Sequence, residues 1–249
     1  MTPPSESPTA PAGQYDDDDG EAARSAAVSG EDGAPRPEVA AAAIVPGAAA
    51  PMAATPARKR PRPGERRVQI LEMLATMLQE PGADRITTAA LAARLDVSEA
   101  ALYRHFASKA QMFEGLIDFI EQSVFTLVNQ IALRESSAAV QVRQVMTVLL
   151  QFGEKNPGMT RVMVGDALVF ENERLVLRMN QFFERIESQL RQSLRLHAEG
   201  EGSATPSVDA SAQASTLVAF AVGRLQRFAR SGFRKNPTEH LDVALRLFA

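Results

Sequence analysis

Residues 98–109, "SEAALYRHFASK", bring an aromatic ring, a guanidinium, an imidazole and an ammonium together within twelve positions. Tyr103, Arg104 and His105 are consecutive, and Lys109 follows four residues later. All four side chains can donate hydrogen bonds to phosphate oxygens or to base edges. His105 lacks an evident Ser, Cys or Asp partner for general-base chemistry. The stretch therefore favours nucleic-acid binding over catalysis, and we expect no enzymatic activity, no cofactor and no metal site.

The residues before this stretch predict a first short helix that would help to position it. Thr87 or Thr88 can cap this helix, because a hydroxyl oxygen accepts hydrogen bonds from the free backbone N–H groups of a first turn. Leu91 and Leu95 would then face inward, four residues apart on one side of the helix. Its small residues would let a neighbouring segment approach closely: Ala89, Ala90, Ala92 and Ala93.

A sharp turn and a second helix follow directly. Asp96 lies at the turn, where Asp tolerates a left-handed backbone better than most other residues except Gly. Ser98 can cap the second helix, which would bury Leu102 and Phe106. Two short helices joined in this way, over residues 87–106, predict a helix–turn–helix.

The other faces of the second helix have the residue types of a recognition helix. Such a helix needs small residues for close approach to the major groove and long polar residues for bases and phosphates. Ala101 can meet a thymine methyl group, and Arg104 could contact a guanine or a phosphate. Glu99 is unfavourable beside phosphates unless it accepts from a cytosine amino group. The expected phosphate anchors are Tyr103, His105 and Lys109.

Charge is distributed unevenly along the chain. Residues 1–57 carry nine acids and two Arg, residues 58–109 carry ten Lys or Arg and six acids, and residues 110–249 carry fifteen of each. The net charge of −3 therefore hides one basic segment. It begins with "RKRPRPGERR", residues 58–67, a predicted flexible arm that can follow phosphates or enter a minor groove. We predict a DNA-binding domain over residues 58–109.

Residues 1–57 are predicted to form a disordered acidic leader. They are rich in Ala and Pro, and Tyr15 is their only aromatic residue, so they cannot bury enough apolar surface to offset the entropy of ordering. The run "YDDDDGE", residues 15–21, is most simply a solvated tail. Alternatively, it is an acidic arm that competes with nucleic acid for the basic segment.

Cysteine content and hydropathy limit the remaining function classes. The absence of Cys excludes disulfides, thiolate metal sites and cysteine nucleophiles. The sequence contains no run of 18 apolar residues and no pattern of an export signal. These features predict a cytoplasmic protein that does not span a membrane.

Apolar residues spaced by three and four predict that the rest of the chain is also helical. The stripe of Leu217, Ala221, Leu225 and Phe228 is assigned to the core and to a dimer contact. The predicted fold is all-α, with a helical dimerisation body over residues 110–249. Helices are predicted over residues 65–80, 109–133, 138–154, 172–197 and 209–231, with a final short helix starting at 236–238.

The segment "RITTAALAARLDVSEAALYRHFASKAQMFEGLI", residues 85–117, resembles the DNA-binding domain of TetR-type regulators. The segments "FGEKNPGMTRVM", residues 152–163, and "MNQFFERIESQLRQ", residues 179–192, resemble more narrowly the nucleoid-occlusion factors within that family. The resemblance covers about residues 65–249 and leaves the leader unexplained.

This resemblance implies a homodimer, associated with the nucleoid, that binds palindromic sites on double-stranded DNA. It also implies binding to the division protein FtsZ and disruption of FtsZ polymers, through a surface that includes Phe119 and Lys155. The periodicity alone favours a core position for Phe119, whereas the resemblance implies an exposed one. The implied DNA contacts are Thr87, Thr88, Ser98, Ala101, Tyr103, Arg104, His105 and Lys109.

A second function remains open from the sequence. A ligand-responsive TetR-type repressor would need an apolar pocket in the body with a few convergent polar groups. The Met, Leu, Val and Phe residues of the body suit such a pocket and a packed core equally well.

Overall fold

The computed structural model describes residues 64–80 and 85–248, and every regular element among them is helical. The predicted leader, residues 1–57, and the start of the basic arm, residues 58–63, lie outside the described residues. The prediction of an all-α fold is confirmed. The α-helices are α1 (Glu65–Gln79), α2 (Thr88–Arg94), α3 (Glu99–Tyr103), α4 (Lys109–Arg134), α5 (Ala138–Lys155), α6 (Pro157–Met163), α7 (Glu173–Gly200), α8 (Pro206–Arg230) and α9 (Leu241–Leu245).

Side-chain caps define the starts of many of these helices. In each case a hydroxyl or amide oxygen accepts a hydrogen bond from a backbone N–H of the first turn, an interaction worth about 0.5–2 kcal/mol. The caps of α2, α3, α4, α5 and α7 are Thr87, Ser98, Ser108, Ser137 and Asn172. Of the two candidates for the α2 cap, Thr87 and Thr88, the structure selects Thr87, and the predicted Ser98 cap of α3 is confirmed.

Helices α1–α3 form a small head that packs on the start of α4. Leu91 from α2, Leu102 from α3 and Phe106 from the next loop are each 1% exposed. Phe113 of α4 is equally buried. The predicted inward face of the second helix is confirmed, and it belongs to the same apolar core as the rest of the chain.

Helices α4–α9 form the body, with α4 passing from the head into its centre. Met112, Leu116 and Val124 of α4 are fully buried as their spacing predicts, and at the position between them, where spacing allows Phe119 or Ile120, Ile120 is the fully buried residue. Helices α7 and α8 are joined by the short connection 201–205 and pack closely together. Among the described helices, α4 is long and apolar enough to cross a membrane by length and composition. Because its acidic residues pair with arginines of α7, we assign α4 as a core helix.

Helix α6 fastens the body to α1 of the head. Gly158 of α6 is buried against α1, and a Cβ at this position would lie 2.0 Å from the carbonyl oxygen of Ala75. The Arg161 guanidinium donates a hydrogen bond of 3.4 Å to the Leu78 carbonyl. Two backbones can approach this closely only where a residue has no side chain.

Two details of the predicted apolar faces were wrong. The three- and four-residue spacing of Val68, Leu71 and Leu78 predicts a buried Val68 in α1, but Val68 is 52% exposed, and Ile70 and Met77 are buried instead. In α7 the same spacing predicts that Phe183 is in the core, but Phe182 occupies the core position and Phe183 is half-buried against it. Adjacent apolar residues satisfy a helical period almost equally, and tertiary packing chooses between them.

The predicted element boundaries also needed corrections. The "NPG" sequence ends α5 as expected, but Pro157 then starts α6, because Pro is favourable in a first turn. The predicted loop over residues 198–207 is shorter, since α7 continues to Gly200 and α8 starts at Pro206. Residues 237–240 form turns, and the last α-helix starts only at Leu241.

Candidate DNA-binding site

The turn between α2 and α3 has the geometry that the sequence predicts. Asp96 has a φ of 52°, in the left-handed region, and its N–H donates to the carbonyl of Ala93 at 3.2 Å. The N–H of Val97 donates to the carbonyl of Ala92 at 3.0 Å, and the Val97 side chain packs against the core. This turn fixes the direction in which α3 leaves α2.

Thr87 and Ser98 cap α2 and α3 and remain exposed. Each hydroxyl oxygen accepts from a backbone N–H, at 3.1 Å from Ala90 and 3.3 Å from Ala101. A hydroxyl group has one proton and two lone pairs, so capping leaves the proton of each hydroxyl free to donate. Both residues can therefore cap a helix and contact a phosphate at the same time.

The predicted second helix is short and ends at Tyr103. Ala101 is half-buried, Tyr103 is 46% exposed, and Arg104 and His105 are fully at the surface. The N–H of Phe106 donates to the Leu102 carbonyl at 3.1 Å, so Arg104 and His105 lie in a hydrogen-bonded turn that follows the helix. The side chains of Thr88, Glu99 and Tyr103 meet where α2 contacts α3, and Arg104 and His105 follow at the exposed end of α3, which together form one corner of the head.

Arg67 of α1 holds this corner in place, a role that the sequence did not predict. Its guanidinium donates a hydrogen bond of 2.9 Å to the His105 carbonyl and lies 4.0 Å from the centre of the Phe106 ring. The sequence places Arg67 only in the basic arm. Its partner is 38 residues away, and no local pattern signals such a contact.

Lys109 is not a free cation in this structure. Its ammonium forms an ion pair with Glu171, which lies just before α7, and sits 5.7 Å from the centre of the Phe113 ring. Both members of the pair are largely buried, with side chains 25% and 10% exposed. A phosphate contact by Lys109 would therefore compete with Glu171.

Thr88 also has a partner within the head. Its hydroxyl donates to a carboxylate oxygen of Glu99 at 2.6 Å, and the Tyr103 hydroxyl lies 3.5 Å from the Thr88 oxygen. Glu99 and Tyr103 are four residues apart on one face of α3, so Thr88 of α2 meets both.

Charged pairs continue from Lys109 along the contact between α4 and α7. Arg174 pairs with Glu114 at 2.7 Å, and Arg178 pairs with Asp118 at 2.6 Å and with Glu121 at 2.9 Å. The hydrogen bond with Glu121 raises the pKa of Arg178 above its ordinary value, burial opposes the change, and Asp118 reinforces it. These ion pairs join α4 to α7 along their contact.

The two residues predicted to bind FtsZ differ in exposure. Phe119 of α4 is half-buried and packs against the core, with its ring centre 6.3 Å from that of the fully buried Phe152. The expectation of an exposed Phe119 is therefore wrong, since only part of the ring faces solvent. Lys155 ends α5 and is exposed, without an ion pair to any residue that the structure describes.

A ligand-responsive repressor would need a ligand pocket of sufficient volume in its body. One apolar cavity of about 90 Å³ lies between α5, α7, α8 and α9, with Arg143, His197 and Gln213 as its polar lining. Ligand pockets of proteins usually have about 300–1,000 Å³. This cavity is smaller, whereas an open groove of about 310 Å³ between α7 and α8 and an open cleft of about 400 Å³ beside His197 reach that range. Within residues 64–80 and 85–248, no group of three or more His, Asp or Glu side chains could hold a metal ion.

Known protein families match both the DNA-binding head and the body of the chain. Residues 70–116 match the family model of bacterial regulatory proteins of the tetR family, and residues 136–249 match the SlmA-like model described as a tetracyclin repressor-like, C-terminal domain. The nucleoid occlusion factor SlmA of Photobacterium profundum is 53% identical over 71% of this chain and 90% of its own length. The chain belongs to the SlmA family. A second SlmA relative, from Salmonella dublin, is 50% identical over 78% of this SlmA-family chain and 98% of its own length.

Solved structures support the fold of this SlmA-family chain. The TetR family transcriptional regulator PfmR from Thermus thermophilus superposes with a TM-score of 0.58 at 21% identity, over 73% of this chain and 94% of PfmR. The regulator FadR from Bacillus subtilis, solved with stearoyl-CoA, superposes with a TM-score of 0.59 at 12% identity, over 73% of this chain and 96% of FadR. At such identities the likeness establishes the TetR fold, and the SlmA-family chain carries the DNA-binding head of that fold.

Proposed function

We propose that this protein is a DNA-bound inhibitor of cell division that acts as a homodimer in the cytoplasm, on the nucleoid. It binds palindromic chromosomal sites and FtsZ together, and it disrupts FtsZ polymers so that no septum forms over DNA. The observation that carries this proposal is the high identity to nucleoid occlusion factors over nearly their whole length. Residues 58–109 supply the arm and the DNA-binding domain, and residues 110–249 supply the body.

The surface of the head supports DNA binding in this proposal. Thr87, Ser98 and His105 are exposed donors at one corner, and Arg104 extends from the end of α3 beside them. A helix–turn–helix dimer reads two half-sites related by its two-fold axis, so the sites are palindromic. Many sites scattered over the chromosome are expected from a protein that marks the position of DNA.

The outer face of α7 and α8 supports dimerisation. The predicted stripe of Leu217, Ala221, Leu225 and Phe228 is fully buried within one protomer, so it cannot itself contact a partner. Ala219 and Gly223, four residues apart on α8, are exposed, and their neighbours Val218 and Val222 line a groove of about 310 Å³ between α7 and α8. Val176, Phe183 and Val222 line that groove and are only partly buried. A second copy of the chain would cover them.

The region of Phe119 and Lys155 supports an FtsZ surface. Aromatic and cationic side chains are common anchors of protein interfaces. Phe119 contributes the exposed part of its ring from α4, and Lys155 contributes a cation at the end of α5 that has no ion pair among the described residues. Phe152 of α5 packs against Phe119, so these two helices lie side by side below the surface.

A co-sedimentation experiment tests the proposal. Purified full-length protein is mixed with FtsZ and GTP, with and without a duplex recovered from chromatin immunoprecipitation. We expect the protein to bind FtsZ and to reduce the pelleted polymer, most strongly with the duplex. Unchanged polymer under both conditions would contradict the proposal. A single immunoprecipitated site beside a transporter or enzyme gene would instead favour a ligand-responsive repressor.

A further inference from the structure

We propose that Glu99 is a specificity-determining residue of the DNA-binding head. Its carboxylate, oriented by Thr88, accepts a hydrogen bond from a cytosine amino group in the major groove and disfavours sequences that offer no such donor. This inference deepens the proposed function, because it rests on DNA binding by α3 and adds the base that one side chain reads.

The geometry fixes where the carboxylate lies. Glu99 is the first residue of α3, exposed, and Thr88 is the first residue of α2. The Thr88 hydroxyl donates to one carboxylate oxygen of Glu99 at 2.6 Å, within the usual range for a hydrogen bond to a charged acceptor. This contact links the two helices of the helix–turn–helix. It restrains an otherwise flexible side chain and leaves the second carboxylate oxygen able to accept from a ligand.

Thr88 was expected to contact DNA directly, but its hydroxyl has only one proton to donate. A hydroxyl has one proton, and the proton of Thr88 is directed to Glu99. Phosphate oxygens only accept, so Thr88 cannot donate to a phosphate while it holds Glu99. The nearby Tyr103 hydroxyl, 3.5 Å from Thr88, can donate either to Thr88 or to a phosphate. Thr88 is therefore a positioning residue for Glu99, and the phosphate donors are its exposed neighbours.

The charge of Glu99 explains why it discriminates. The described residues give its carboxylate no ion-pair partner, although it lies among groups expected to approach phosphates. Next to DNA, an unpaired carboxylate is repelled by phosphates and loses water without replacement. A cytosine N4 amino group offers the missing donor in the major groove. Binding to other base pairs carries that penalty, whereas binding to the matching pair removes it.

In vitro selection from a random duplex library tests this role. The full-length parent, Glu99→Gln and Glu201→Gln are compared at one salt concentration. Glu99→Gln keeps the size of the side chain and an oxygen that accepts from Thr88, but it removes the charge. Glu201→Gln makes the same change at the exposed end of α7, away from the head. We expect the parent and Glu201→Gln to recover the same palindrome, with a C·G pair in each half-site whose preference Glu99→Gln loses.

Affinities then give the size of the effect. For the parent, replacing that C·G pair should weaken binding about 10-fold, as one good base contact does. For Glu99→Gln the same replacement should have little effect, and binding to a scrambled duplex should tighten at low salt. Thr88→Val, which removes the hydroxyl but keeps the shape, should reduce the discrimination without removing it.

Two results would overturn the inference: one contradicts only the role of Glu99, and the other also contradicts the proposed function. If Glu99→Gln recovers the same motif as the parent with the same discrimination, Glu99 does not read a base. If the parent itself recovers no motif, sequence-specific binding is absent and the proposed function fails as well. Thermal melts of each variant by circular dichroism establish that the head is folded in both cases.

Discussion

Lys109 illustrates how a single residue can serve both the head and the body. Its ammonium is paired with Glu171 and is largely buried, although its sequence position predicts a phosphate anchor. Removing Lys109 or His105 should weaken binding to specific and scrambled duplexes by similar factors, because phosphate contacts carry no sequence information. Fluorescence anisotropy on both duplexes for His105→Ala and Lys109→Ala measures this, and a loss confined to the specific duplex would contradict it.

Glu171 provides the reciprocal prediction. If DNA phosphates compete with Glu171 for Lys109, Glu171→Gln should tighten binding to both duplexes a few-fold, since the cation no longer has to leave a charged partner. The gain should shrink as salt is raised, as electrostatic contacts to DNA do. Glu173→Gln is the matched control, because Glu173 is exposed in the first turn of α7. Equal or weaker binding by Glu171→Gln would show that Lys109 does not exchange partners.

The sequence could predict such residues only in part. The Ser98 cap and the left-handed Asp96 follow from local rules and were predicted correctly, whereas the sequence narrowed the α2 cap only to Thr87 or Thr88. The partners of Lys109 and Arg67 lie 62 and 38 residues away along the chain. They depend on how helices pack, and no pattern in the nearby sequence contains that information.

Helices were predictable where one signal dominates. Helix α4 has a Ser108 cap and an uninterrupted apolar stripe, and its predicted range agrees with the structure within one residue. Helix α6 was missed because "NPG" is typical of a helix end, although Pro157 suits a first turn equally well. Its tight contact with α1, through Gly158, depends on tertiary packing and was not predictable from spacing.

The contact between α6 and α1 gives a stability prediction. In Gly158→Ala the new methyl group would lie 2.0 Å from the Ala75 carbonyl, and a backbone atom cannot move aside easily. We expect the free energy of unfolding to fall by about 1–3 kcal/mol, as overpacking does. Urea unfolding followed by circular dichroism measures the change. Gly200→Ala is the control, since a Cβ there meets nothing within 4 Å, and equal midpoints for the two variants would contradict the prediction.

The outer face of α8 gives a prediction about assembly. A Cβ at Gly223 meets nothing within 4 Å in the protomer, so Gly223→Arg should leave the fold intact. If this face packs against a second copy, the bulky cation should disrupt the dimer and, with it, binding to a palindrome. Sedimentation velocity should show a monomer for Gly223→Arg and a dimer for Gly200→Arg. A dimeric Gly223→Arg would place the interface elsewhere.

In the whole molecule, α4 connects the two proposed activities. It starts at Lys109, shortly after α3, and contains Phe119 on its way into the body. The ion pairs from α7 restrain it along this path. A change at Phe119 or Lys155 should nevertheless leave DNA binding intact, because the ring of Phe119 packs against Phe152 of the body and Lys155 lies at the exposed end of α5.

The last prediction separates the two activities. Phe119→Ala and Lys155→Asp should keep the dimer and DNA binding but no longer block division when overproduced. Because Phe119 is half-buried against Phe152, its loss should cost less than the about 3–5 kcal/mol of a fully buried Phe. Lys155→Asp should leave stability nearly unchanged, since Lys155 is exposed. Lys235→Asp, at another exposed Lys, controls for the change of charge.

The measurements are a thermal melt, a DNA-binding curve and cell length on overproduction. If Phe119→Ala and Lys155→Asp still cause filamentation at the parent's expression level, or if Lys235→Asp loses it equally, FtsZ does not bind at this surface.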